Sequence, residues 1–408
     1  MAFFDPSRRS YISDPYPALA RLRREQPVFR SPDFGAWILT AYADCARVLR
    51  DEESFASNPA EGQGHVADQL RQQRDTVSLG DAEPLVRSDP LVRSDPPVHT
   101  RLRQGVNHAF TPARVAPLRP FIEQTVASLL DRAPRGEPFE VMGGLAEPLP
   151  IAVVLELMQA PAADRPQLAE WMTAIMRARV DQSDAPAVAA AAQQAQQSLS
   201  DYFTAALADG ATPAGGGVLA TLMAPAEGRE ALTAAERVKI AMDLSIAGNN
   251  STAFMIGNGV LTLVQHPQQA ERLREDPQLL ARAVDEMLRF DSSNQIIMRF
   301  AKAEATVGRQ TVKAGDAIFV LVGAANRDGG QFPEPDRFDP LRENAHRHLS
   351  FGLGIHYCLG MPLLRLQAQI ALSALLERFG ELRFGGGGLL RGGTLTFRGP
   401  QRLSIAAR

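Results

Sequence analysis

Cysteine is almost missing from this chain: 408 residues carry two, Cys45 and Cys358. Two thiols so far apart make neither a disulfide framework nor a four-cysteine zinc site. No segment reaches membrane-spanning length without a charge or a glycine. The amino terminus, Met1-Ala-Phe-Phe-Asp-Pro-Ser-Arg-Arg, has no apolar run long enough for a signal peptide or an anchor. The expectation is a cytosolic chain with no membrane partner. A formal net charge of −3 leaves no basic excess for nucleic acid. Strand–helix–strand alternation is absent, which argues against a doubly wound sheet. No domain-sized linker interrupts the chain, and one domain over residues 1–408 is expected.

What is present is an ordinary globular composition, 45% apolar and 22% charged, with helical patterning dominant. Strand-like runs are confined to Ala36-Trp37-Ile38-Leu39-Thr40, to residues 298–322 and to residues 393–405. The fold class is therefore mainly α with small β-sheets. Cys45, inside Ala-Asp-Cys-Ala-Arg-Val-Leu, reads as a small core residue of a helix. Glycines 385–388 read as a flexible turn, and 215–217 as a surface loop between helices. The segment Leu85-Val-Arg-Ser-Asp-Pro90 is repeated at once as Leu91-Val-Arg-Ser-Asp-Pro96. A copy this short is no solenoid unit; it reads as a loop extension.

A long helix is predicted over residues 233–266. Thr233-Ala-Ala-Glu236 is a capping-box pattern at its start and Pro267 ends it. At 1.5 Å per residue it would span roughly 50 Å and lie buried at the centre.

The most specific stretch is Phe351-Gly-Leu-Gly-Ile-His-Tyr-Cys-Leu-Gly360. It places a cysteine in a glycine-rich loop before an amphipathic helix predicted from Met361 to Phe379, with Pro362 in the first turn and Gly380 as the stop. Backbone N–H groups at the helix start favour thiolate over thiol. The glycines at 352, 354 and 360 leave room for a flat, bulky group against the backbone. Such a thiolate is either a nucleophile, which needs a base and an oxyanion hole, or an iron ligand, which needs a haem-sized apolar slot.

The pattern Phe-Gly-x-Gly-x-His-x-Cys-x-Gly resembles the haem-binding loop of the cytochromes P450, with six identities in ten positions. From Asp14-Pro15-Tyr16-Pro17 to the C-terminus the order of motifs is similar to that of soluble bacterial members. The resemblance implies haem b held between the long helix and the cysteine-loop helix, with Cys358 as axial ligand and Phe351, Gly352 and Gly360 against the cofactor. It implies that His99 and Arg103, in Pro-Val-His99-Thr-Arg-Leu-Arg103, together with Arg299 and His356, partner the haem propionates. Glu286-Met-Leu-Arg289 resembles the family's Glu-x-x-Arg lock, which either Arg337 or Arg342 would complete.

In the long helix, Ala247-Gly248-Asn249-Asn250-Ser251-Thr252 lines up with Ala-Gly-x-acid-Thr-Thr. Gly248 would open the helix wall where oxygen binds. The relay acid is replaced by Asn250, which holds water but cannot ionise, and the relay alcohol is Ser251. Thr252 lies one position further round.

Substrate-facing positions implied by resemblance are the 60–95 loop, Asp243, Ala247, Gln295, Ile296, Ile297 and Phe397. The implied activity is a monooxygenase inserting one atom of O2 into a lipophilic small molecule, such as a terpenoid, steroid, fatty acid or polyketide. Electrons would come from a separate ferredoxin or flavodoxin with its NAD(P)H reductase. Arg114, Arg347 and Arg365 are candidates for the basic face that receives it. The missing acid leaves open peroxide-driven, coupling or rearranging chemistry on the same fold. A haem-binding sensor without turnover is the third reading.

Overall fold

The helix Met361–Phe379 starts directly after Gly360, with Pro362 in its first turn, and ends at Gly380, whose φ of +62° suits a residue without a Cβ. This computed structural model describes residues 4–407 apart from 7, 73–90, 134–136, 181–184, 209–216 and 225–229. The first copy of the tandem repeat, and residues 215 and 216 of the glycine loop, lie outside the described residues. Gly217 caps a short helix, Val218–Met223.

The predicted long helix is present as two consecutive pieces, Ala234–Ala247 and Asn249–Gln265, parted at Gly248. The start is the expected capping box: the Thr233 N–H donates to Glu236 Oε2 at 2.9 Å and the Glu236 N–H to Thr233 Oγ1 at 3.2 Å. From Thr252 to Leu263 every residue of the second piece is buried. It packs between the cysteine helix, the π-helical turn Met142–Ala146 and the helix Leu280–Phe290, within one large apolar cluster. Gly257 permits part of this approach, because a Cβ there would lie 2.7 Å from Met142 Sδ and from Pro400 Cγ.

A five-stranded sheet stands beside the helical core, in the order Val28–Ser31, Ala36–Leu39, Ala317–Leu321, Ile296–Ala301, Phe55–Ala56. Its pairs are antiparallel except for Ala36–Leu39 with Ala317–Leu321. The two faces bury separate clusters. One holds Cys45, Leu49, Ile318 and Val320, with Ile297 packed against it; the other holds Phe4, Tyr16, Ile296, Phe300 and Phe319. Cys45 is fully buried on a helix, as its pattern indicated.

The C-terminal hairpin departs from expectation. Strand Leu382–Gly393 pairs with Arg398–Ala407, and the chain reverses near residues 394–397, where the Thr394 N–H donates to the Phe397 carbonyl. Glycines 385–388 are not the turn. Phe384 pairs with Ile405 and Leu389 with Leu403, so the four glycines stand against Ser404 alone as a bulge. Among the described residues no helix is long and apolar enough to cross a membrane.

Candidate active site

Two local structures carry the expected site residues. The first is the Cys358 loop, where Gly352 and Gly354 take φ of +69° and +73°, and a Cβ on Gly354 would lie 2.7 Å from the Leu49 carbonyl. The Cys358 N–H closes the loop onto the Phe351 carbonyl at 2.9 Å. Burial pushes the Cys358 thiol up, while the Gly360 and Met361 N–H groups and the Arg103 charge pull it down, and burial wins. The sequence reading expected the helix start to favour thiolate; desolvation overrides it. A thiol raised in this way suits a nucleophile poorly, whereas a metal cation displaces the proton as it binds.

The second is the break in the central helix. The stretch around it is otherwise buried, yet Ala247 and Gly248 are exposed and Ser251 is half-buried. A Cβ built on Gly248 would meet nothing within 4 Å, and the same holds for Gly360 in the cysteine loop. The Ser251 hydroxyl donates to the Gly248 carbonyl at 3.3 Å. Asn250 turns the other way: it is buried, and its Nδ2 points at the Met176 carbonyl in helix Arg165–Val180, 3.5 Å away. Thr252 is buried in the helix packing and does not share the open face with Ser251.

A cluster of basic side chains gathers beside the cysteine loop. The His99 and His356 rings lie 4.2 Å apart, and His99 Nε2 and both ring nitrogens of His356 are buried with no hydrogen-bond partner among the described residues. His356 Nε2 is 3.8 Å from Asp95 Oδ1, an oxygen that already accepts the Ser57 N–H at 2.9 Å. Burial, His356 and Arg103 press His99 down to about 4, so it is neutral at pH 7. Arg299 is buried, and its NH1 donates to the Met298 carbonyl at 2.9 Å. Desolvation lowers it to about 10, with Asp95 opposing. Arg103 donates to the Tyr357 carbonyl at 2.6 Å and to Asn107 Oδ1 at 2.7 Å. Buried donors in this number call for an acidic group from outside the chain. Two carboxylates on the edge of a flat apolar cofactor, with a thiolate to its metal, match that donor set. Haem fits these residues.

The buried ion cluster nearby is complete. Arg289 Nε and NH2 reach the two Glu286 oxygens at 2.6 and 2.8 Å, and Arg342 Nε lies 3.1 Å from both. Arg337 contributes only its carbonyl, since its side chain pairs with exposed Glu334.

Some other expected positions fall elsewhere. Along strand Ile296–Ala301 the two-residue period puts Ile297 and Arg299 on one face and Ile296 on the other, so Ile296 belongs to the Phe319 cluster and not to a wall shared with Ile297. A Cβ on Gly352 would touch Ile297 Cδ1 at 3.5 Å, which places Ile297 at the cysteine loop. Gln295 is buried, donates to the Ser292 carbonyl at 2.6 Å and lies against Gly323. Phe397 bridges to Asn294 beside it. Asp243 pairs with Lys239 one turn back on the central helix, on the same stripe as Ala247 and Ser251. Arg114 and Arg347 are exposed, but Arg365 is tied to Asp285 at 2.7 Å and is not a free cation of that face.

The family model for cytochrome P450 matches residues 217–382. The chain is 33% identical over 387 residues to the polyketide biosynthesis cytochrome P450 PksS of Bacillus subtilis (strain 168), covering 93% of this chain and 92% of the relative. The chain belongs to the cytochrome P450 family. This P450 is also 36% identical to the vitamin D(3) 25-hydroxylase of Pseudonocardia autotrophica, over 91% of this chain and 88% of that one. Its fold superposes on P450 RauA, solved with a biosynthetic intermediate of aurachin RE, with a TM-score of 0.88 at 28% identity and full coverage of both chains. It is an oxidoreductase of the P450 monooxygenase class, and the family's haem-thiolate cofactor is the group its site accommodates. One contact beside the break has no signal in the sequence: Asn249 Nδ2 donates to the Ser245 carbonyl at 2.7 Å, at a position the family pattern treats as variable.

Proposed function

We propose that this P450 binds haem b through Cys358 and inserts one oxygen atom from O2 into a lipophilic small molecule of the steroid, polyketide, terpenoid or fatty-acid kind. A separate ferredoxin or flavodoxin, with its NAD(P)H reductase, supplies the electrons. The observation that carries the reading is the pair of open positions, Gly248 in the central helix and Gly360 after the cysteine, each with free space where a side chain would stand. When bound, the haem would supply oxygen activation, which electron donation from the Cys358 thiolate would favour.

The protein's own residues do the rest. Arg103, Arg299, His99 and His356 hold the cofactor's carboxylates. Ser251 presents a hydroxyl on the accessible face of the helix and can hand on a proton there. Ala247 and Ile297 contribute apolar wall, which excludes water and orients a hydrocarbon frame. Asn250 stands where an ionisable relay acid would be and cannot ionise; its amide faces the Met176 carbonyl.

The test is a screen of lipophilic ligands for the low-to-high-spin shift of the haem Soret band. It is followed by NADPH consumption and product analysis with a surrogate ferredoxin and reductase. Hydroxylated or epoxidised product formed in step with NADPH is the expected result. Product formed only when hydrogen peroxide is added would assign the peroxide-driven reading instead. Spin shifts without any product by either route would leave a haem-binding sensor.

A further inference from the structure

The break at Gly248 needs an explanation in its own right, because the residues on either side are able to continue a helix. Gly248 itself keeps right-handed helical angles, φ −84° and ψ −13°. Its N–H turns to the Ile246 carbonyl, and its own carbonyl takes the Thr252 N–H at 3.1 Å, at the start of the second piece. A break of this kind frees carbonyls of the preceding turn, and a freed carbonyl in a core needs another donor. Ser245 is fully buried, and its hydroxyl is committed to the Met242 carbonyl at 2.7 Å. The donor to the Ser245 carbonyl is the side-chain amide of Asn249, at 2.7 Å and itself 1% exposed.

We propose that Asn249 is a positioning residue for oxygen activation: its amide substitutes for the backbone bond at Ser245 and so holds the groove at Gly248 open. The inference rests on the haem-thiolate reading of the site. Two arrangements compete for one carbonyl. In an unbroken helix the Asn249 N–H would take the Ser245 carbonyl, four residues back. With the side chain in that place, the backbone is released and Gly248 recedes. Ser251, three residues on, is carried by the same turn, with its hydroxyl bonded to the Gly248 carbonyl on the open face. One turn therefore bears an amide bond on its buried side and the proton-handling hydroxyl on its accessible side. Asn250 has a different task, since its amide faces the Met176 carbonyl of the neighbouring helix. Loss of the Asn249 amide favours the unbroken helix, narrows the groove and displaces Ser251.

The test uses the haem-loaded protein with Asn249→Leu, which keeps the branching at Cγ and removes the donor, and with Asn249→Ala. Carbon monoxide on the reduced haem is the probe. Its infrared stretch reports the surroundings of the bound gas, and a purely structural core contact would not move it. The expected result is a shifted or split stretch in both variants, with several-fold faster return of the reduced protein to the ferric state under air. Unchanged stretch and unchanged rate in either variant overturn the proposal. If Asn249→Leu fails to hold haem, Asn249→Ala alone decides. Absence of the red-shifted Soret band in the wild-type protein would instead overturn the haem-thiolate reading, so the two failures are told apart before any variant is compared.

Discussion

His99 and His356 meet ring to ring, with centroids 4.2 Å apart and planes inclined by 50°. The contact joins helix Val98–Gln104 to the cysteine loop and places unbonded ring nitrogens next to buried Arg299. Such a cluster is unfavourable alone and favourable around two carboxylates. Arg299→Ala would leave one propionate short of a partner, at a cost of roughly 1–3 kcal/mol. Haem should transfer faster from this variant to an acceptor apoprotein than from the wild type. Equal transfer rates would remove Arg299 from the cofactor's partners.

The Glu286–Arg289–Arg342 cluster makes a different prediction. Removing one charge from a fully buried pair costs about 3–5 kcal/mol, so Glu286→Gln should lower the unfolding free energy by about that much. Arg337→Ala should stay within about 0.5 kcal/mol of wild type, since only its backbone carbonyl joins the cluster. Chemical denaturation of the two variants side by side reads both values.

Much of the frame around this site was legible in the sequence, and the reasons are local. The Met361–Phe379 helix is announced by Pro362 and Gly380, and the Thr233–Glu236 box by its own spacing, because caps are chemistry between near neighbours. The choice of Arg342 over Arg337 was not legible: both are arginines on one meander, and only the packed chain shows which side chain turns inward. The face of Ile296 was missed for a similar reason. Two adjacent isoleucines look alike until the register of the strand assigns them to opposite cores. Glycines 385–388 looked like a turn because a bulge and a turn draw on the same residue type.

Asp291 sets an acid limit on stability. It is buried with Tyr16 Oη at 2.8 Å and with Arg391 and Arg398 each at 3.0 Å. Burial pushes its carboxyl up, but Arg398, Arg391 and the Tyr16 hydroxyl pull it down further, to about 2. The folded value lies below that of an unfolded chain, about 3.9, so this stabilisation is complete above pH ~4 and lost as pH falls through ~2. It amounts to about 2–3 kcal/mol. Denaturation curves from pH 5 to pH 2 (roughly the window of the two values) should show this slope in the wild type and lose it in Asp291→Asn, which should also be less stable at neutral pH.

Asn250→Asp should raise the fraction of NADPH that ends in product, because a carboxylate can ionise and pass protons where an amide only orients water. The new carboxyl would face the Met176 carbonyl, an acceptor that favours its protonated form. Ser251→Ala should lower the coupled fraction by removing the hydroxyl on the open face. Unchanged coupling in Asn250→Asp, with altered products in Asn250→Ala, would make Asn250 a substrate contact.

The central claim is that Cys358 is the axial ligand of a haem. The most direct measurement is the Soret spectrum of the reduced, carbon-monoxide-bound protein, taken for the wild type and for Cys358→Ala. The account expects the red-shifted band of a thiolate ligand in the wild type and its complete loss in the variant. A Cys358→Ala protein that binds haem and keeps that band would contradict it.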